Sequence, residues 1–228
     1  FYLRLNNHDK IFCTYVMEAF CYSAGFEPCE HYPSIRSDIG WGCMHRVTQM
    51  LLYRIVSKVF NRADKIATLE QLFRDTVDAP FGIQSLLRCS YSWGISGCSQ
   101  WSPGMACDAV KTILAREYAL VNMTVKVYQS GSVAKNEVAY APLPLLILCP
   151  LRLGDKNIES NHESSVCTYM NITSSVGAAG GRKNSGYYFF DFSLNIKKMH
   201  YLDPHVIGNN VRVEDSMKFS KLDPCLAL

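Results

Sequence analysis

One cysteine stands where a protein would activate its thiol. The segment SDIGWGCMHRVTQMLL (37–52) places Cys43 after Gly40 and Gly42, which permit a sharp turn, and at the start of a predicted helix. The apolar stripe of that helix consists of Met44, Val47, Leu51 and Ile55. Free amides and the positive dipole end at a helix N-terminus favour a thiolate, so Cys43 is a candidate nucleophile. The alternative is an ordinary buried cysteine, because the chain has 10 cysteines.

A base for that thiol is predicted in KMHYLDPHV (198–206). Pro204 pushes Asp203 toward extended geometry, in which residues two apart project from the same side. Asp203 can then hold the Nδ1 hydrogen of His205 and leave Nε2 free to take the thiol proton. A polar turn is the alternative for this segment alone. No other candidate histidine has a carboxylate at this spacing across a proline: His31, His45, His162 and His200.

The elements that must position these groups change in type along the chain. Apolar residues recur at helical spacing in four early segments: 9–24, 43–60, 63–77 and 102–118. In the last of these, Ser102 is a predicted N-cap with Pro103 at the first helical position. Strands are predicted at 123–129, 143–151, 186–192 and 197–203, and loops at 131–142 and 175–186.

Helices followed by strands predict an α+β fold with an antiparallel sheet. We expect one domain over 1–228, with a helical lobe at about 1–120 and a β-rich lobe at about 121–228. A cysteine on a helix N-terminus in one lobe, facing a His/Asp pair on a strand of the other, is the geometry of papain-like thiol hydrolases.

Composition excludes several other classes of protein. A net charge of +3 without a long basic run argues against nucleic-acid binding. No apolar run reaches the roughly 18 residues of a membrane span, and residues 1–10 lack the pattern of a signal peptide. We therefore expect a cytoplasmic protein with reduced thiols rather than disulfides. No Cys/His spacing suggests zinc, so no metal or other cofactor is expected.

Several segments resemble the autophagins, the autophagy-related cysteine proteases. SDIGWGCMHRVTQMLL and YLDPHV are similar to their Cys and Asp-Pro-His motifs. The resemblance runs from about residue 20 to the end and includes further segments: GCSQWSPGMACDAVKTI (97–113), PLLILCPLRLG (144–154), SVGAAGGRKNSGYYF (175–189) and KLDPCLAL (221–228).

The resemblance implies a papain-like thiol protease whose substrate is a ubiquitin-like modifier of the light-chain-3/GABARAP type. Such an enzyme cleaves after the modifier's C-terminal glycine, both to process the precursor and to release the modifier from phosphatidylethanolamine. It would contact the membrane only through the lipidated substrate. Cys43 would be the nucleophile, His205 the base and Asp203 the group that orients the base.

The resemblance also implies residues beside the triad. Trp101 matches the family's tryptophan that covers the narrow groove for the glycine tail, although an ordinary core or surface aromatic is the alternative. A family tyrosine contributes to the oxyanion site. Tyr22 in FCYSAGF (20–26) matches its spacing, while Tyr32 lies closer to Cys43 in sequence. Thr173 stands where the family has a proline in a loop over the entrance.

Two alternatives remain open from the sequence. GWGC and DPH would equally serve a protease of a different ubiquitin-like modifier, although the segments around Trp101 and PLRLG favour the autophagins. A catalytically inactive scaffold that binds the modifier is the other alternative, against which the intact Cys/His/Asp set argues.

Overall fold

The computed structural model describes residues 19–60, 66–182, 184–193, 195–207, 215–218, 222 and 224–228. The helices are α1 Cys43–Phe60, α2 Ile66–Leu72, α3 Ile83–Ser92, α4 Pro103–Arg116, α5 Tyr118–Val121, α6 Lys135–Ala139 and α7 Glu163–Asn171, with a 3₁₀ turn at Ser160–His162. The strands are β1 Thr124–Val127, β2 Leu145–Leu148, β3 Pro150–Arg152, β4 Ala178–Arg182, β5 Ser185–Ser193, β6 Lys198–Leu202, β7 Asp215–Lys218 and β8 Cys225–Ala227. Within these residues, no helix combines the length and apolar character needed to cross a membrane.

Helix α1 is the centre of the helical half. Its apolar stripe is buried as predicted, and the helix contacts α3, α4, β4 and β5. Helix α4 begins as predicted: Pro103 is in its first turn, and the Ser102 hydroxyl accepts the Met105 N–H at 3.2 Å. Such a cap satisfies one of the amides that a helix start leaves without a partner.

The C-terminal half forms the predicted antiparallel sheet. Six strands lie in the order β3-β8-β4-β5-β6-β7, with every pair antiparallel. The apolar run at 143–151 divides into β2 and β3, which belong to different sheets, because β2 pairs in parallel with β1. One sheet face packs on α1, and the other covers a second core beneath α7 that includes Phe189, Met199 and Leu226.

Three local predictions were wrong, and helix α3 was missed. The predicted loop at 175–186 contains β4 and the start of β5, because small residues there pack closely between β5 and β8. Residues 19–24 of the predicted first helix are extended and bridge residues 37 and 207, while residues 9–18 lie outside the described part of the chain. Helix α3 was not predicted, and the loop at 131–142 contains the short helix α6.

Candidate active site

Cys43 is the first residue of α1 and is only 5% exposed. The turn before it depends on its glycines. Gly40 has φ +86°, and a side chain on Gly42 would place its Cβ 2.5 Å from the Cβ of Asp38. The Asp38 carbonyl accepts the Trp41 N–H at 3.2 Å and the Gly42 N–H at 2.9 Å. This tight turn delivers Cys43 to the helix start, as the sequence predicted.

The sheet reaches Cys43 through Gly186 on β5. Its N–H donates to Cys43 Sγ at 3.4 Å. A Cβ on Gly186 would lie 3.1 Å from Met44 Cε and 3.4 Å from Met44 N, so the missing side chain lets β5 approach the helix start. Sequence reasoning missed Gly186, because nothing in its neighbours indicates which helix the strand approaches.

Asp203 and His205 follow β6 and face the same side, as expected. His205 Nδ1 lies 2.5 Å from Asp203 Oδ1, and the His205 backbone N–H donates to the same oxygen at 2.9 Å. Because a carboxylate only accepts, Nδ1 carries the hydrogen. Nε2 is buried without a hydrogen-bond partner among the described residues, and it is close enough to Cys43 for each side chain to shift the pKa of the other.

These neighbours favour a thiolate beside an imidazolium. The hydrogen bond to Asp203, followed by the interaction with Cys43, raises the pKa of His205 to about 9. Burial acts to raise the pKa of Cys43, but His205, the Gly186 amide and Tyr22 outweigh it, so the thiol pKa is lowered. Burial likewise opposes ionisation of Asp203, yet its hydrogen bonds from His205 lower its pKa. These interactions favour the thiolate form of Cys43, which is the more nucleophilic form of a cysteine.

The structure brings Tyr22, and not Tyr32, to this site. Tyr22 is buried, its N–H donates to the Pro204 carbonyl at 2.9 Å, and its ring packs edge-on against His205 at 5.4 Å between centroids. Burial and the neighbouring Cys43 raise the pKa of Tyr22, so the hydroxyl keeps its hydrogen. The Tyr32 hydroxyl instead donates to the Ile95 carbonyl at 2.6 Å.

Trp101 is buried and packs against the first turn of α1. It is 5% exposed, its Nε1–H donates to Ser90 Oγ at 3.1 Å, and its ring centroid lies 4.0 Å from that of His45. His45 is two residues beyond Cys43, so the tryptophan packs beside the first turn of the helix. Its role toward a substrate stays a prediction.

Thr173 does not lie over the entrance. Its carbonyl accepts a hydrogen bond from Lys58 Nζ at 2.7 Å, and Lys58 is near the C-terminal end of α1. At a rise of about 1.5 Å per residue, the Cα of Lys58 is about 22 Å along the helix axis from that of Cys43. The loop that contains Thr173 therefore borders the opposite end of the helix.

Sequence reasoning also missed two charged residues beside the motif, Asp38 and Arg46. Both are buried, at 0% and 2% exposure, and they contact each other through Arg46 Nε and Asp38 Oδ2. The available signal was an aspartate and an arginine at the two ends of the segment that contains the GWGC motif, at positions 38 and 46.

Comparison with known proteins assigns the chain to a family. A family model described as the peptidase C54 catalytic domain matches residues 9–227. The probable cysteine protease ATG4 of Scheffersomyces stipitis is 32% identical over 184 residues, which cover 74% of this chain and 35% of that protein. The probable cysteine protease atg4 of Schizosaccharomyces pombe is 30% identical over 186 residues, covering 81% of this chain and 56% of that protein.

The cysteine protease ATG4 of Saccharomyces cerevisiae is 30% identical over 211 residues, covering 82% of this chain and 42% of that protein. The chain thus spans about a third to just over half of the length of these curated relatives. Because the family model covers nearly all of the chain, and relatives at 30% identity or more match most of it, the chain belongs to the peptidase C54 family, the autophagin (ATG4) family of cysteine proteases.

Proposed function

We propose that this chain is a cysteine endopeptidase that cleaves after the C-terminal glycine of a light-chain-3/GABARAP-type ubiquitin-like modifier. It would act in the cytoplasm, both on the modifier's precursor and on the modifier joined to phosphatidylethanolamine. The observation that carries the proposal is the hydrogen-bonded sequence Asp203–His205 beside Cys43, at the start of α1. Membership in a family of cysteine proteases supports the same chemistry.

In the first step, the Cys43 thiolate attacks the carbonyl carbon of the modifier's glycine. Negative charge moves to the carbonyl oxygen, which needs hydrogen-bond donors. The Cys43 N–H is one candidate donor, because the first amides of a helix have no partner within the helix. The protonated Tyr22 hydroxyl beside Cys43 is the other.

His205 then carries the proton. The imidazolium donates its Nε2 hydrogen to the leaving amine, the carbon–nitrogen bond breaks, and the modifier remains as a thioester on Cys43. Neutral His205 next removes a proton from water, which attacks the thioester and releases the glycine carboxylate and the thiolate. Asp203 keeps the ring in place throughout. The leaving amine is a peptide nitrogen in the precursor and the ethanolamine nitrogen in the lipid conjugate, so one site serves both.

Trp101 is proposed to border the groove that admits the glycine tail. Support comes from its packing on His45 in the first turn of α1, two residues after the proposed nucleophile. Because glycine has no side chain, a glycine tail can pass beside a large ring without a steric clash.

The test is mass spectrometry of modifiers that carry extra residues after their terminal glycine. GABARAP-type and unrelated ubiquitin-like modifiers are each incubated with the protein and with its Cys43→Ala variant. We expect cleavage after glycine in the GABARAP type only, and none with the variant. Vesicles that carry the phosphatidylethanolamine conjugate test the second reaction, for which release of the modifier into solution is expected.

Other outcomes separate the alternatives. Cleavage of an unrelated modifier would show a protease of different specificity. Binding of the GABARAP type without cleavage by either protein would indicate a scaffold, and cleavage by the Cys43→Ala variant would remove Cys43 from the role of nucleophile.

A further inference from the structure

Two buried charges beside Cys43 take no part in the proposed reaction. Arg46 and Asp38 are 2% and 0% exposed. Burying a charge is costly unless it is paired and hydrogen-bonded, so their retention needs a reason. Arg46 Nε donates to Asp38 Oδ2 at 2.5 Å, and its terminal nitrogens donate to the two oxygens of Asp75 at 2.9 and 2.8 Å.

Asp38 joins the segment around Tyr22 to the start of α1. Its Oδ1 accepts the Ser23 N–H at 2.6 Å, and its own N–H donates to the Ser23 carbonyl at 3.2 Å. Its other carboxylate oxygen accepts from Arg46, one turn after Cys43. A single side chain therefore connects the residue next to Tyr22 with the helix that carries the sulfur.

Tyr22 is held from its other side by the loop that carries the proposed base. Its N–H donates to the Pro204 carbonyl, and it forms an isolated bridge with Ile207. The contacts to Pro204 and Ile207 fix the position of Tyr22 along the loop that carries His205. The Asp38 contacts to Ser23 tie the same segment to the start of α1.

We propose that Asp38 and Arg46 are positioning residues that hold the Tyr22 hydroxyl against the Cys43 sulfur. The carboxylate sets the distance between the Tyr22 segment and α1, and the hydrogen bond from Arg46 Nε keeps the carboxylate from rotating away. The inference rests on the proposed role of Cys43 as nucleophile. Its test needs no substrate, so a failure to cleave any modifier would neither support nor contradict it.

The test measures how fast iodoacetamide alkylates Cys43 as a function of pH, with the modified peptide quantified by mass spectrometry. Asp38→Asn keeps the shape of the side chain but replaces the carboxylate that accepts from Arg46 with a neutral amide. We expect alkylation at neutral pH to slow about tenfold, the value of one hydrogen bond to a charged group, and the thiol to titrate at higher pH. Removal of a negative charge by itself would favour the thiolate and move the titration the other way.

Asp75→Asn is the matched control. It makes the same change of charge on the same arginine, but Asp75 contacts Arg46 and the Ile83 N–H and has no hydrogen bond to the Tyr22 segment among the described residues. We expect its alkylation profile to stay close to that of the wild type. An equal slowing by both variants would reduce the pair to general structural support.

A second control asks whether Asp38 acts through Tyr22. In a Tyr22→Phe background the hydroxyl is already lost, so Asp38→Asn should cause no further slowing. Additive effects of the two substitutions, or a wild-type profile for Asp38→Asn, would overturn the proposal. If Asp38→Asn does not fold, Arg46→Lys keeps the charge and loses the fork. A smaller slowing of the same sign is then expected, and no change in the profile would contradict it.

Discussion

At the scale of single residues, the site depends on Cys43 and His205, whose shifted pKa values favour a thiolate and an imidazolium. Cys43 has a lowered pKa, and Asp203 with Cys43 raises that of His205 to about 9. The two shifts together favour a thiolate beside an imidazolium over the neutral pair. The folded pKa of His205 lies above its ordinary 6.5, so its contribution to folding is full below 6.5 and is lost as pH rises through about 9.

This charge state predicts the pH dependence of cleavage. We expect kcat/KM to rise as Cys43 loses its proton and to fall at alkaline pH, with a midpoint near 9, as His205 loses the proton needed by the leaving amine. Initial rates of modifier cleavage across buffers of constant ionic strength measure it. An activity that keeps rising beyond that midpoint would show that His205 is not the acid.

The carboxylate gives a second prediction at this scale. Asp203→Ala removes the acceptor 2.5 Å from His205 Nδ1, which frees the ring and its tautomer. Activity should fall by roughly 10⁴-fold, as when a triad carboxylate is lost. Circular dichroism and modifier binding of the same variant, both expected to be nearly unchanged, separate this loss from unfolding. Near-full activity would mean that another group orients His205.

At the scale of elements, α1 carries a histidine that has a stability cost. His45 is fully buried between Trp41 and Trp101, and neither ring nitrogen has a hydrogen-bond partner among the described residues. Burial, with help from Arg46, lowers its pKa from 6.5 to about 3. The ring thus stays neutral in the helix, whereas the unfolded chain takes up a proton below pH 6.5.

His45→Phe is predicted to make the protein more tolerant of acid. Between pH 6.5 and about 3 the histidine costs the folded state up to about 1.4 kcal/mol per pH unit, and phenylalanine removes that dependence while keeping a ring against Trp101. Urea unfolding at several pH values measures it. The control is the wild-type protein in the same series, whose unfolding free energy should fall more steeply below pH 6.5 than that of the variant. A parallel pH dependence of the two proteins would contradict the argument.

At the scale of the whole molecule, contacts between the two halves distinguish Cys43 from Cys21, Cys89 and Cys107. Burial raises the pKa of Cys21 and Cys89 to about 11 and that of Cys107 to about 12. At Cys43 the opposite result arises because the β half supplies His205 and the Gly186 amide to a helix start in the α half. The division into lobes at about 1–120 and 121–228 stays a prediction.

Selective alkylation follows from that contrast. A short treatment with iodoacetamide at mildly acidic pH should modify Cys43 well before the exposed Cys98, whose pKa is raised by partial burial. Peptide mass spectrometry gives the rates. His205→Ala should abolish the selectivity, and denatured protein should show none. Labelling of Cys98 at the rate of Cys43 in the native protein would contradict the assignment of a thiolate.

Local chemistry made part of this protein predictable from sequence alone. The start of α1 at Cys43, the cap at Ser102, and the pairing of Asp203 with His205 all depend on residues within a few positions of each other. The order of helices before an antiparallel sheet follows from apolar periodicity, which is also a local property. The roles of these residues in catalysis remain predictions.

Only the tertiary structure decided the contacts between distant segments. In the structure, the Gly186 N–H donates to the Cys43 sulfur, and Tyr22 rather than Tyr32 packs against His205. Thr173 lies near the far end of α1. The glycine-rich stretch at 178–182 forms a strand. The contacts of Gly186 and Thr173 are made with residues more than a hundred positions away in the sequence. The residues next to a position do not determine which distant segment it will contact.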